Sequence, residues 1–307
     1  MNPSLLQPGT LWARLLARTD HALRCGALQP IPTSYERIEQ SGIYFILRIL
    51  ANLARKDEAK KAQSGQAAGA GNFNPFLPYE EDLFVVDISD THLCLLNKFN
   101  VLAHHLLIVT RDFEEQKNRL NLDDFEALWS CMAEFEGLAF YNSGRVAGAS
   151  QPHKHLQMVS LPLAPMGPSI PIEPVIVTAR FDGPVGMSSQ LPFVHAIARL
   201  EPDWLQSPQQ AAAATLELYN QMLLVTGVAT DETHPAPYNL LATRQWLLLV
   251  PRLRESFESV SINALGYAGA LLVRQESQAR VIREQGPLTV LRQVAVPLPE
   301  TQISNVL

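Results

Sequence analysis

The chain has 307 residues, 47% hydrophobic and 18% charged, with a mean hydropathy of +0.02. That is room for one large domain or two modest ones with an ample core, and it excludes a disordered or fibrous chain. The net charge of −6 and pI of about 5.8 argue against a general nucleic-acid binder, so any nucleotide must be held by local donors rather than by a positive field. Cys25, Cys94 and Cys131 are scattered without a Cys-x-x-Cys, which argues against a disulfide framework or a zinc ribbon and for a reducing compartment, the cytoplasm. No apolar run approaches the ~20 residues that span a bilayer. The N-terminus, with Arg14, Arg18, Asp20 and Arg24 among apolar residues, does not read as a signal peptide.

From the N-terminus, Leu11, Trp12, Leu15, Leu16 and Leu23 recur at helical spacing, predicting one helix over Leu5–Leu28. Gly42–Leu53, with Tyr44, Phe45, Ile46, Leu47 and Ile49, reads as a strand. The basic run Arg55–Lys61 leads into a Gly/Ala/Gln tract without periodicity, so a mobile loop is expected over about 56–72. Asn74-Pro75-Phe76 with Pro78 makes a turn. Leu83–Ile88, Leu93–Leu96 and Leu106–Thr110 read as strands, with Asn97 and Lys98 in a loop and His104 and His105 as structural residues at the mouth of the third. Asn121 caps a helix over Leu122–Gly137, whose core stripe is Phe125, Leu128, Trp129, Met132 and Phe135.

The informative stretch follows. Asn142 to Ser150 is a loop rich in Gly, Ala and Ser, and His153-Lys154-His155-Leu156-Gln157 alternates. Residues two apart share a face of a strand, so His153, His155 and Gln157 line one face and Lys154, Leu156 and Met158 the other. Two imidazoles and an amide thus stand beside a loop whose small residues can bring backbone N–H groups close to phosphate oxygens. A neutral imidazole is a good nucleophile near neutral pH and can attack phosphorus, giving a phosphoramidate that a second acceptor resolves. A His-x-His pair could also bind a metal, although no cysteine or carboxylate stands beside it, or be structural. Glutamine cannot titrate to assist a water, whereas phosphate arrives ionised and needs no base; this favours phosphate as the acceptor.

Beyond the motif, the proline-rich Leu161–Pro174 is expected to be an extended surface connector. Phe193–Leu200 reads as a strand with a structural His195, and Ser207–Val225 as a helix with Leu216, Tyr219, Met222 and Leu223 inside. The second half echoes the first. Leu247–Arg252 parallels Leu106–Arg111, and Asn263 with Ala268-Gly269-Ala270 parallels Asn142 with Ala147-Gly148-Ala149. Leu271–Arg274 then stands where the histidine motif is missing.

The motif, with Gly148-Ala149-Ser150-Gln151 before it, resembles the histidine-triad superfamily in its transferase form. Within it the match is to the diadenosine tetraphosphate phosphorylase (ATP adenylyltransferase) family, whose transferases carry glutamine where hydrolases carry a third histidine. Asn74-Pro75-Phe76, Leu95–Phe99, His105–Thr110, Phe140–Gly144 and Tyr238–Leu241 extend the resemblance over most of the chain. It implies an α+β fold: an antiparallel sheet flanked by helices, built from two half-repeats as in galactose-phosphate uridylyltransferases. This would be a single domain over 1–307, with residues 1–160 the catalytic half and 161–307 a degenerate copy. It implies reversible phosphorolysis of diadenosine tetraphosphate to ATP and ADP through an adenylyl-histidine at His155, with ATP supplying AMP in reverse. His153 would bind polyphosphate oxygens and set the ring of His155, Gln157 would hold an α-phosphate oxygen, and Gly148, Ala149, Ser150 and Gln151 would donate where charge develops. Asn142 would meet the ribose or α-phosphate, Asn97 and Lys98 would face the nucleotide, and Lys56, Asn239 and Arg274 would be further contacts. A divalent cation, Mg or Mn, would arrive with the polyphosphate rather than sit in a protein cage. The partners would be a dinucleoside polyphosphate, ATP, ADP and inorganic phosphate, with neither nucleic acid nor membrane. A nucleotidyltransferase using sulfate or a sugar phosphate, and a non-catalytic dinucleotide sensor, remain as alternatives.

Overall fold

A computed structural model describes residues 5–51, 74–229 and 234–299; Lys56 and the Gly/Ala/Gln tract lie outside the described residues. In chain order the first half carries α1 (Leu11–Cys25), β1 (Thr33–Gln40), β2 (Ile43–Leu50), β3 (Phe84–Asp87), β4 (His92–Leu96), β5 (Leu106–Thr110), α2 (Leu122–Glu134), β6 (Gly137–Asn142), β7 (His155–Ser160) and α3 (Glu173–Val177). The second carries β8 (Arg180–Phe181), β9 (Val185–Met187), β10 (Ala196–Arg199), α4 (Pro208–Val225), β11 (Tyr238–Ala242), β12 (Trp246–Pro251), β13 (Ser256–Phe257), β14 (Val260–Ser261), α5 (Ala264–Tyr267), β15 (Ala270–Val273), α6 (Glu276–Gln285) and α7 (Pro287–Val294).

Ten strands form one antiparallel sheet in the order β3-β4-β5-β7-β6-β11-β12-β10-β9-β8. Period-2 alternation divides it into two buried faces. Leu156 and Met158 point with Leu106, Ile108 and Tyr141 into a core closed by Leu15 of α1, Phe125 and Trp129 of α2 and Tyr219 and Met222 of α4. On the other face Leu138, Phe140, Val159, Leu241 and Leu248 pack on β2, α3 and β15, and a smaller cluster gathers Phe76, Leu93, Leu95, Leu107 and Val109. His155 and Gln157 sit on this second face, since His155 pairs with Val109 and Gln157 with Leu107 across the β5–β7 ladder.

The first helix is shorter than its apolar pattern. Gly9 at φ +79° precedes it, and Gly26 in the left-handed conformation ends it. The Gly42 strand is β2; its partner β1, Thr33–Gln40, has six polar residues in eight and so no apolar pattern to mark it, and the Ser41-Gly42 turn at φ 54° and 76° closes a tight hairpin. The Leu161–Pro174 segment is not a surface connector. Leu163, Ala164, Ile170 and Ile172 are buried, and Pro174 lies in the first turn of α3, where a missing N–H breaks no helical bond.

The internal echo is real but set differently. From its two edges inward the sheet reads β3-β4-β5-β7-β6 and β8-β9-β10-β12-β11, with α2 and α4 in matching places between the third strand and the next in chain order. Trp246–Pro251 is therefore the counterpart of His155–Ser160, not of Leu106–Thr110, and Asn263 lies outside the sheet. Leucine-rich strands resemble one another, so the sequence alone aligns the wrong pair.

Candidate active site

His155 opens β7 and is 4% exposed. Its Nδ1–H donates to the carbonyl of His153 at 2.8 Å. That fixes the tautomer and leaves Nε2 as a bare lone pair. Burial holds the imidazole at about 4, with the His153 carbonyl opposing and the neighbouring His153 ring reinforcing the fall, so it is neutral at physiological pH. Phe76 packs edge-on to this ring at 5.3 Å. The backbone is gripped by Gln116, itself buried: its Oε1 accepts from the His155 N–H at 2.8 Å, and its Nε2 donates to the carbonyls of Asn142 at 2.9 Å and His155 at 3.1 Å. Tyr141 OH donates to the carbonyl of Gln116 and, at 3.0 Å, to that of Asn118.

His153 is fully buried and does not present its ring to a ligand. Nε2–H donates to the Thr110 carbonyl at 2.8 Å, and Nδ1 accepts from Asn74 Nδ2 at 2.9 Å. Both ring nitrogens are thus engaged within the protein, and His153 meets His155 through its carbonyl. Asn74 also accepts from the Phe76 N–H at 3.0 Å, so the Asn-Pro-Phe turn carries both the His153 anchor and the ring against His155.

Gln157 belongs to a chain of its own. His105 Nε2–H donates to Gln157 Oε1 at 2.9 Å, and Asn97 Nδ2 donates to His105 Nδ1 at 3.3 Å. Burial holds His105 at about 4 despite the Gln157 bond, with His155 lowering it further. The amide oxygen being taken, Gln157 is left with its NH₂ as a donor. His105, read as structural, is thus the residue that orients Gln157. Asn97 turns to His105 and the Phe99 N–H rather than to a nucleotide, and Lys98 pairs with Glu80 at 2.6 Å on the surface.

The loop before β7 is internally tied. The Gly148 N–H donates to the Arg145 carbonyl and the Ala149 N–H to that of Gly144, so these two are not the phosphate donors expected; Ser150 and Gln151 follow them toward the histidines. Gly148 sits at φ +90°, where a Cβ would stand 2.6 Å from the Ile262 carbonyl. Asn142 Oδ1 accepts from Asn239 Nδ2 at 2.8 Å and from the Ala264 N–H at 2.9 Å, so Asn142 too keeps only its NH₂ for a ligand. Asn239 Oδ1 accepts from Arg252 Nη1 at 2.6 Å, and Arg252 also donates to the carbonyls of Ala147 and Ile262. Asn239 is therefore a seam residue and not a free contact. Arg274 follows β15 in the small sheet, its N–H donating to Gln278.

Behind β7, Lys154 is fully buried, 2.6 Å from Asp124 and 3.0 Å from Glu114. Burial pushes Asp124 up, but His92 and Lys154 outweigh it and hold the carboxyl below its usual range. The same carboxylate accepts from the Asn121 N–H at 2.7 Å in the capping box of α2. A surface groove of about 430 Å³ lined by Phe181, Arg199, Trp204 and Glu217 lies at the β8 edge and shares no residue with these histidines.

A neutral, tautomer-fixed imidazole flanked by amide donors is the equipment of an enzyme that moves a phosphorus-bearing group through histidine. Comparison with known proteins gives the family. Residues 1–178 match the Ap4A phosphorylase N-terminal domain and 189–297 the ATP adenylyltransferase C-terminal domain. Diadenosine 5',5'''-P1,P4-tetraphosphate phosphorylase 2 of Saccharomyces cerevisiae is 27% identical over 261 residues, 76% of this chain and 77% of that one. Crystal structures of yeast Ap4A phosphorylase Apa2 share the fold at 22% identity: the AMP complex with a TM-score of 0.77 over 97% of this chain and 100% of that one, the Ap4A complex with 0.76 over 97% and 99%. The chain belongs to the Ap4A phosphorylase family of nucleotidyltransferases.

Proposed function

We propose that this protein catalyses the reversible phosphorolysis of diadenosine tetraphosphate to ATP and ADP through an adenylyl-histidine at His155, with residues 1–160 supplying the chemistry and 161–307 a wall of the site. The observation that carries the reading is the His155 Nδ1–H bond to the His153 carbonyl. It aims a lone pair at the substrate and remains to stabilise positive charge once Nε2 is substituted. Nε2 attacks the α-phosphorus, the N–P bond forms, and the bridging P–O bond breaks to release ATP. A phosphate oxygen then attacks the same phosphorus, and the N–P bond breaks to give ADP. By reversibility, synthesis begins with AMP transfer from ADP, releasing phosphate, and ATP is the acceptor. The sequence reading that ATP supplies the AMP does not balance against this order.

A ring that resists positive charge makes an adduct with high transfer potential, suited to a reversible step. The NH₂ groups of Gln157 and Asn142 and the donors of Ser150 and Gln151 supply hydrogen bonds where oxygen charge develops. Lys56, Lys98 and Arg274 are proposed as further contacts to the polyphosphate. Among the described residues no carboxylate cluster stands at His155. We therefore assign Mg or Mn to the polyphosphate's own oxygens. The cytoplasm, where nucleotides and phosphate are plentiful, is the proposed location; no helix among the described residues is long and apolar enough to cross a membrane.

Intact-mass analysis after mixing with Ap4A and no phosphate should show AMP on the peptide from Gln151 to Met158. His155→Gly should lose turnover and regain it with imidazole. Full activity in His155→Ala would reject the reading. Presenting sulfate or a sugar phosphate to the isolated adduct separates the phosphorylase from transferases with other acceptors, and absence of any adduct marks a sensor.

A further inference from the structure

His21 and Cys25 are one turn apart on α1, so their side chains leave the same face of the helix. Asp82, in the 3-10 turn Glu81–Leu83, stands opposite. His21 Nε2 lies 2.7 Å from Asp82 Oδ1, and the imidazole nitrogen, the thiol sulfur and the carboxylate oxygen all lie within 4.8 Å of one another. Cys25 is exposed, and its sulfur makes a long contact of 3.6 Å with the Ala22 carbonyl. The two elements are held in place independently of these three groups. Leu11, Leu15 and Ala22 bury one side of α1, and Arg18 Nη1 donates to the Glu81 carbonyl at 3.4 Å.

We propose that His21, Cys25 and Asp82 bind one borderline divalent ion, zinc being the fitting member of the class, with water as fourth ligand. Metal–ligand bonds of about 2.0–2.3 Å in a tetrahedron separate donors by roughly 3–4 Å. The His21–Asp82 contact therefore opens slightly and the sulfur closes in, both within side-chain rotation. The thiol proton leaves to solvent as Cys25 coordinates, His21 carries its remaining proton on Nδ1, and thiolate and carboxylate together neutralise the ion. One nitrogen, one sulfur and one oxygen form a set that suits zinc or cobalt and is poor for magnesium. The site is thus chemically distinct from any hard cation travelling with a polyphosphate. Bound metal clasps α1 to the turn that opens β3.

Cobalt(II) titration of the reduced full chain is the test, because a thiolate-to-cobalt charge-transfer band together with intense visible bands reports a four-coordinate site containing sulfur. Cys94 and Cys131 are buried, so the band reports Cys25. One cobalt per chain is expected, displaced by zinc and unaffected by magnesium, with the band absent in Cys25→Ser. His21→Ala and Asp82→Ala should each weaken binding by about 100-fold or more, beyond the range for losing an outer-sphere partner. Zinc should raise the unfolding midpoint of the parent chain but not of Cys25→Ser, and all variants should match the parent in EDTA. Absence of the band, or cobalt binding unchanged in His21→Ala, overturns the proposal; the second result would mean that the thiol alone collects metal.

Discussion

At the scale of single residues, the site works by taking away choices. His155 cannot change tautomer while its Nδ1–H is held by the His153 carbonyl, and Gln157 and Asn142 cannot flip while their oxygens are engaged. Since burial holds His155 at about 4, the acid limb assigned to this ring in single-turnover AMP transfer should fall near pH 4 rather than near the ordinary 6.5. A limb at 6.5 that disappears in no other histidine variant would contradict the burial argument. Gln116 is the positioning residue that the sequence hides: one amide binds both backbone groups of His155 and the Asn142 carbonyl. Gln116→Ala should lower kcat by about 100-fold through misplacement of Nε2, with a much smaller change in KM and no rescue by imidazole. Equal losses in both constants would point to general unfolding instead. The histidines and glutamine were legible because alternation and a small-residue loop are patterns in the chain. Gln116 and the roles of His105 and Thr110 were not, because a lone polar residue shows its purpose only through partners that folding brings from elsewhere.

Among elements, what matters is how a loop and a strand are braced from behind. Asp124 closes the capping box of α2 and pairs with Lys154, so the helix start and the histidine strand share one carboxylate. The cap was readable as a local signal; the ion pair, reaching across the fold, was not. Gly148 is the corresponding point on the loop. Its φ of +90° and the 2.6 Å approach to the Ile262 carbonyl leave no room for a methyl group. Gly148→Ala should destabilise the protein by about 2–4 kcal/mol, read from urea unfolding, and should cut turnover by moving Ser150 and Gln151. Parental stability in that variant would show that the loop relaxes freely. β1 carries no such local signal for a related reason: six of its eight residues are polar, and its pairing with β2, not its composition, makes it a strand.

For the molecule as a whole, buried imidazoles tie stability to acidity. His105 and His155 fall from 6.5 to about 4, in each case chiefly by burial. The folded chain therefore binds fewer protons than the unfolded one between those values. Their contribution is complete above 6.5 and is lost as the pH falls toward 4, on the order of 3 kcal/mol each at most. Urea midpoints should drop across that interval, and His105→Gln should flatten part of the slope; a midpoint constant from pH 7 to 4 would refute it. The antiparallel sheet and the doubled plan were legible from the sequence and its resemblance, but the matching of the halves was not, because leucine-rich strands are interchangeable on paper and only hydrogen-bonded order distinguishes them. That order has a last consequence. At the β6–β11 ladder Asn142 faces Asn239, and a half-length polypeptide would end there in an open edge that only a second copy could cover. Joining the halves in one chain makes the encounter intramolecular, so the β6–β11 seam stays closed however dilute the protein becomes.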